Sequence, residues 1–314
     1  MTTTATRITP DAFVDALNGM FGRHVGHRPL HARATADCTG RFVATLDAAR
    51  LSRAAHFSGV PIPVTARFSA ESGAPADADA ANDDKGLAVR FNLPDGDTTD
   101  IVSRRTPVAM ASTPEGFLAF LQAVRTDPAT GKPDPATVGA MVAAHPDVRP
   151  FLAAHDALTP IASVADAPYF AVHTFRLLDA HGVVQPGRYR WEPATLAPMS
   201  APAITPGDRD YYAGEMRERL ARGPVAFHLR FQLPAPGDDL NDPTTVWPET
   251  RPVVTLGRLE LTSLVTGDPN PVEAVVYNPT NFTDGIAASD DPVLAVRQAV
   301  YERSFARRAT PTSA

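Results

Sequence analysis

The stretch Gly86-Leu-Ala-Val-Arg-Phe-Asn-Leu-Pro-Asp-Gly-Asp-Thr-Thr-Asp-Ile-Val-Ser103 sets the architecture. Gly86–Leu93 reads as a strand, Asp95-Gly96 as a hairpin-type turn, and Asp100–Ser103 as a returning strand. The neighbouring chain repeats this reading. Arg41–Leu46 and Ile62–Phe68 precede it as strands. Tyr169–Leu178 and Gly187–Trp191, joined through Asp179-Ala-His-Gly182, predict another hairpin, and Val225–Leu233 and Val253–Thr262 are further strands. Strands outnumber helices and mostly follow one another through hairpins. The fold class is therefore α+β, an antiparallel β-barrel or sandwich with helices packed on it.

The helices are marked by their ends. Thr9-Pro10 opens an amphipathic helix with Phe13, Leu17, Met20 and Phe21 at helical spacing, ending near Gly22. Thr113-Pro-Glu115 starts a second, with Phe117, Leu118, Leu121 and Val124 on one face, and Pro135 and Pro146 start shorter ones. Residues 208–222 predict a polar helix stopped by Gly223-Pro224. The last helix runs through Ser289–Arg308, with Asp291 as N-cap and Pro292 at its first position. On it, Arg297 and Tyr301 are four residues apart and share a face. A guanidinium beside a phenol oxygen favours the phenolate, the form that ligates ferric iron. The Gly/Ala/Asp-rich stretch 71–85 reads as an exposed loop. With no internal repeat and no linker-like run, residues 1–314 read as one domain.

Composition narrows the partners. The 314 residues are 44% hydrophobic, enough for one large core, and the net charge of −6 argues against nucleic acid or an anionic membrane. No apolar run reaches the ~20 residues of a membrane span, and Met1–Arg7 has no apolar core of a signal peptide, so the expected location is cytoplasmic. The single cysteine, Cys38, forms no internal disulfide and no cysteine-based metal site, and reads as a small apolar filler. Nine histidines are present, none with zinc-type His-Glu-x-x-His spacing. His24, His27 and His31 cluster in a loop with basic neighbours, a poor setting for a metal. There is no Gly-x-Ser-x-Gly elbow, phosphate loop or dinucleotide fingerprint.

His31 gains meaning from an ordered set of motifs. Arg28-Pro-Leu-His31-Ala-Arg33 is followed by Val64-Thr-Ala-Arg67-Phe-Ser69, by Asp84-Lys-Gly86-Leu-Ala-Val-Arg-Phe91, by Asp100-Ile-Val and by Thr106-Pro107. Then come Arg188-Tyr-Arg-Trp191-Glu-Pro, Val246-Trp-Pro248, Tyr277-Asn-Pro279, Asp284-Gly-Ile286 and Arg297-x-x-x-Tyr301. In this order the set resembles the haem catalase superfamily, specifically its short, single-domain catalase-related peroxidases, which lack the flavodoxin-like C-terminal domain. The resemblance spans roughly residues 20–308.

The resemblance implies a catalase-like barrel holding a ferric b-type haem, a peroxide substrate with a reducing co-substrate, and assembly as a homodimer or homotetramer. It makes Tyr301 the proximal iron ligand and Arg297 the arginine bonded to it. His31 becomes the distal acid–base and Ser69 the residue that orients it. Arg28, Arg67 and Arg308 become propionate partners, Phe117 an aromatic beside the distal face, and Leu30 the aliphatic roof. The chemistry is coherent. A neutral histidine can carry a proton from the near to the far peroxide oxygen, and buried propionates need cations, since each uncompensated charge costs several kcal/mol, roughly.

The chain departs from the family at the distal face. Where catalases carry a peroxide-binding asparagine before Thr-Pro, this chain reads Ser103-Arg104-Arg105-Thr106-Pro107, which puts Arg104, or with a one-residue shift Arg105, at that position. A distal phenylalanine is replaced by Ala109. An arginine paired with histidine suits a peroxidase, because it stabilises charge on the leaving oxygen, and Ala109 leaves room for an organic peroxide. The alternatives are a hydroperoxide-rearranging haem enzyme and a non-catalytic barrel that binds haem or lipid.

Overall fold

A computed structural model of the protein describes residues 8–21, 27–79, 84–127, 129–194, 209–265 and 275–309. Ten strands form one antiparallel sheet. They are β1 (Ala34–Ala44), β2 (Ile62–Ala70), β3 (Lys85–Asn92), β4 (Thr98–Arg104), β5 (Tyr169–Phe170), β6 (Phe175–Leu178), β7 (Val184–Pro193), β8 (Val225–Gln232), β9 (Val253–Leu264) and β10 (Ile286–Ala288). Pairing runs β1-β2-β3-β4-β5-β7-β8-β9 and returns from β9 to β1, closing an eight-stranded barrel. β6 pairs with β7 and carries β10 on its other edge. Closure removes the open edges that would invite aggregation.

Period-2 alternation gives each wall two functions. Along β2, Ile62, Val64, Ala66 and Phe68 are buried in the barrel core, while Pro63, Thr65, Arg67 and Ser69 face the other way. The register with β3 pairs Phe68 with Leu87 and Ala66 with Val89 inside, and Ser69 with Gly86 and Arg67 with Ala88 outside. Gly40 marks the irregularity where β1 meets β9, since a Cβ there would lie 2.0 Å from the Glu260 carbonyl oxygen. Edge-to-face aromatic pairs fill the interior, with Phe42 against Phe91 at 5.2 Å and Trp191 at 6.2 Å.

Among the described residues there are seven helices: α1 (Pro10–Phe21), α2 (Leu46–Leu51), α3 (Pro114–Ala123), α4 (Pro135–Ala144), α5 (Arg149–Asp156), α6 (Tyr211–Arg222) and α7 (Pro292–Ala309). A second core joins α1 through Phe13, Val14 and Leu17 to α3 through Leu118, Phe120 and Leu121, and to Val300 of α7. The caps follow the sequence. Thr113 Oγ1 accepts from Gly116 N–H at 3.1 Å, and Asp291 Oδ1 accepts from Val293 and Leu294 N–H at 2.8 and 3.2 Å. No helix among the described residues is long and apolar enough to cross a membrane.

The structure corrects several expectations. β1 ends at Ala44 instead of running on to Leu46, because Thr45 caps α2 with its hydroxyl. Tyr169–Leu178 splits into β5 and β6, and β10 carries no sequence signal. The polar helix starts at Tyr211; residue 208, like Gly22 and His24, lies outside the described residues. The described part of the stretch 71–85 is not an exposed loop. Glu71, Ser72, Asp79, Asp84 and Lys85 are all buried. The charges are compensated: Lys85 Nζ donates to the Asp79 carbonyl at 2.8 Å, and Arg33 lies 3.5 Å from the Asp79 carboxylate.

His56 adds an acid-sensitive element to the barrel core. Its ring lies 4.1 Å from Phe57 and 4.6 Å from Phe91, centroid to centroid, and neither ring nitrogen has a hydrogen-bond partner among the described residues. Burial pushes its pKa down to about 3. The unfolded chain therefore binds a proton that the native state refuses between pH ~6.5 and that value. Stability from this group is full above pH ~6.5 and is lost as pH falls, at on the order of 1.4 kcal/mol per pH unit. Replacing His56 with Leu is expected to flatten the acid limb of Tm against pH; an unchanged limb in His56→Leu assigns the acid sensitivity elsewhere.

Candidate active site

Between the outer face of β2–β4 and the helical layer lies a cavity of about 220 Å³, lined mainly by apolar side chains. His31, Ser69, Arg28, Leu30, Arg67, Arg104, Phe117, Arg297, Tyr301 and Arg308 all line it, as does Ala109. Residues separated by up to 280 positions are gathered because β2 and β4 give their outer faces to the cavity while α3 and α7 cover it. Arg105 is not on the lining: its guanidinium donates to the Thr159 carbonyl at 3.0 Å. Of the two alignments open to the sequence, only the one with Arg104 reaches the cavity.

On the barrel wall, His31 has a φ of 54°, the only positive value outside glycine among the described residues. Its N–H donates to the Glu71 carbonyl at 3.1 Å, and its Nδ1 lies 3.1 Å from Ser69 Oγ. Gly86, paired with Ser69 across the β2–β3 register, makes room for the ring. A Cβ at residue 86 would lie 3.0 Å from Ser69 Oγ and 3.1 Å from His31 Cε1. Burial, helped by Arg104 and Arg67 and opposed by Glu71 and Asp84, pushes the His31 pKa down to about 4. The imidazole is therefore neutral at neutral pH, as a proton carrier requires.

Arg104 is tied back by two carboxylates. Its Nε donates to Asp84 Oδ2 at 2.9 Å, and its Nη2 donates to Glu71 Oε1 at 2.6 Å and also to Asp84. Its guanidinium sits over the Phe151 ring at 5.1 Å. Burial works against its charge, but Asp84 and Glu71 outweigh burial and raise its pKa. Asp84 also accepts from Thr106 Oγ1 and from the Arg105 N–H at 3.1 Å, so its carboxylate is fully engaged.

On the helical wall a linear chain reaches the phenol. Asp291 Oδ2 lies 2.5 Å from His173 Nδ1, His173 Nε2 lies 2.9 Å from Arg297 Nη1, and Arg297 Nη2 donates to Tyr301 Oη at 2.6 Å. An arginine can only donate, so His173 Nε2 accepts and its proton sits on Nδ1 toward Asp291. Burial, supported by Arg297 and opposed by Asp291, lowers the His173 pKa and keeps the ring neutral. Asp291 thus uses one oxygen to cap α7 and the other to orient the chain behind Tyr301. Sequence reading found Asp291 only as a cap. It missed His173, which lies where the expected strand breaks, and Glu71, which lies in the expected loop.

Three arginines lie on the lining. Arg28 Nη2 donates to the Val275 carbonyl, Arg67 Nη2 donates to the Ala32 carbonyl at 3.3 Å, and Arg308 sits 5.7 Å from the centre of the Phe305 ring.

Substitutions at two positions probe this geometry. Gly86→Ala forces His31 and Ser69 apart by a few tenths of an ångström. It is expected to break the Ser69–His31 hydrogen bond while keeping a native circular-dichroism spectrum, checked by the His31 Nδ1 chemical shift. Asp291→Asn keeps the cap but removes the anion behind His173, whereas Asp291→Ala loses the cap as well, worth about 1 kcal/mol. Both variants are expected to lower Tm, the Ala variant by more because it also loses the cap, and both to shift the His173 proton resonance.

Comparison with known proteins agrees with this geometry. The Catalase family model matches residues 6–313. A catalase-related peroxidase from Mycolicibacterium paratuberculosis is 37% identical over 96% of this chain and 95% of its own length. One from Synechococcus elongatus is 36% identical over 97% and 90%. A crystal structure of a fungal catalase superposes with a TM-score of 0.79 at 21% identity, over 92% of this chain and 61% of that one, and shares the fold. With the family matched over nearly its whole length, the chain belongs to the catalase family.

Proposed function

We propose that the protein is a haem-dependent peroxidase, a single haem-binding domain that reduces hydrogen peroxide or organic hydroperoxides at the expense of a reducing co-substrate. The observation that carries this reading is one cavity with the Arg297–Tyr301 pair on its helical wall and the Ser69–His31 pair on its barrel wall. The two relatives named above are both called catalase-related peroxidase.

The residues present fit a haem. Tyr301 Oη is approached by a donor, Arg297, and so keeps lone pairs for an iron. The cavity walls are largely apolar, with Arg28, Arg67 and Arg308 as cations for the two propionates. Held by Tyr301 and the three arginines, a haem would supply a redox-active ferric iron for peroxide O–O cleavage. The chain's own contribution is proton movement and charge. His31, neutral and steadied by Ser69, takes the proton from the near oxygen and returns it to the far one, which leaves as water or alcohol. Arg297, anchored through His173 to Asp291, fixes the phenol and moderates its electron donation.

Peroxidase chemistry is favoured over disproportionation by Arg104 and Ala109. Arg104 replaces a neutral asparagine with a cation held by two carboxylates, and Ala109 widens the cavity for an organic substituent. The reading carries with it a cytoplasmic location and assembly as a homodimer or homotetramer.

Tyr301→Phe is expected to abolish the phenolate-to-iron charge-transfer band of the haem-loaded protein; an unchanged spectrum refutes the ligand. His31→Gln is expected to keep the Soret band and lower donor oxidation about 10²- to 10⁴-fold. No Soret band after haem supplementation of the wild type overturns the whole reading. Strong oxygen release without donor oxidation overturns the preference for peroxidase.

A further inference from the structure

The charged set on the barrel wall does not end at Arg104. Glu71 uses Oε1 for Arg104 at 2.6 Å, and its Oε2 lies 3.4 Å from His155 Nε2 at the end of α5. His155 is the outer end of the set, with 38% of its side chain exposed, while Glu71 and Asp84 are buried. The Phe151 ring lies 5.1 Å from the Arg104 guanidinium and 5.6 Å from the His155 ring. Glu71 therefore joins the surface to the cavity. Its carboxylate holds Arg104, its carbonyl holds the His31 N–H, and its outer oxygen faces a titratable group open to solvent.

Charge counting gives the consequence. With His155 neutral, Arg104 faces two carboxylates and the set carries one net negative charge. With His155 protonated, the set is neutral. We propose that His155 is a specificity-determining residue, read out by external pH, that sets whether the barrel wall of the cavity repels or tolerates an anionic hydroperoxide. The proposal rests on the peroxidase reading for its substrate, but its charge coupling is a property of the chain alone.

The groups facing His155 are Glu71, Asp84 and Arg104. The hydrogen bond His155 donates to Glu71 raises its pKa above the usual value, burial and Arg104 oppose, and Asp84 adds to the rise. Burial opposes ionisation of Glu71, but Arg104, His155 and His31 hold its carboxyl well below the usual range. It therefore stays ionised while His155 titrates. His31 titrates far lower, at about 4, so as His155 titrates it changes the charge of the set alone.

The matched probes are cumene hydroperoxide and its para-carboxylate derivative, assayed with the haem-loaded full chain. In the wild type the ratio of KM for the carboxylate to KM for the uncharged peroxide is expected to rise roughly threefold as pH climbs through the His155 transition, the effect of one screened unit charge. The ratio is expected to be flat in His155→Gln, and flat and low in His155→Lys, which fixes the positive charge. Independently, the His155 Cε1 proton resonance of the haem-free protein is expected to titrate above pH ~6.5 and to fall back in Glu71→Gln. Coincident KM-ratio profiles in wild type and His155→Gln overturn the proposal, as does a His155 titration that Glu71→Gln leaves unmoved. If neither hydroperoxide is turned over, the peroxidase reading fails, and the His155 titration decides the charge coupling by itself.

Discussion

The site depends on a constraint in β2: its two faces must answer to different solvents. Ile62, Val64, Ala66 and Phe68 fill the closed barrel, and the residues between them, Arg67 and Ser69, serve the cavity. A slip of one residue in the β2–β3 register would exchange the two sets. It would place a guanidinium and a hydroxyl in the apolar interior and phenylalanine against His31. The core thus enforces the register, at about 1.5–3 kcal/mol for each large apolar side chain it keeps inside. The position of the Ser69–His31 pair follows from packing that never touches it.

The two walls of the cavity solve the problem of buried charge differently. On the helical wall, a neutral histidine separates Asp291 from Arg297, so an anion and a cation are linked by hydrogen bonds rather than by direct contact. The chain is directional, because the arginine dictates the histidine tautomer. On the barrel wall, Arg104 contacts both of its carboxylates directly. Removing one partner from such a set leaves an uncompensated charge, which costs about 3–5 kcal/mol. The barrel wall is therefore the more rigid electrostatically, and Arg104 is better suited to shaping the potential in the cavity than to moving toward a ligand.

Much of this was legible in the sequence, for physical reasons. Strands bounded by Asp95-Gly96 and Gly182, and caps such as Thr113 and Asp291, are local signals, and local signals survive folding. The ordered motifs located Tyr301, His31, Ser69 and the arginines, and the structure brings these side chains to one cavity. What failed is non-local. Glu71 and Asp84 look like loop residues because one sequence cannot show that Arg104, 33 and 20 positions on, will bury them. His173 sits in a segment whose apolar neighbours predict a continuous strand. Its role depends on Asp291, 118 positions away. Burial of polar groups is decided by partners, and partners at long range leave no periodicity.

The backbone at His31 shows how these levels meet. A left-handed φ on a non-glycine residue costs on the order of 1–3 kcal/mol and persists only where the surroundings over-determine it. Here three neighbours do so. The Glu71 carbonyl fixes the His31 N–H, Ser69 Oγ fixes the ring, and Gly86 leaves the space the ring occupies. Glu71 in turn is held by Arg104, and Ser69 and Gly86 by the β2–β3 register. The strained histidine is consequently supported from both sides, by the charged set through Glu71 and by the barrel core through the register. A disturbance of either reaches the imidazole as a change in position. Substitutions on the outer face of the barrel therefore reach His31 through Glu71, Ser69 and Gly86.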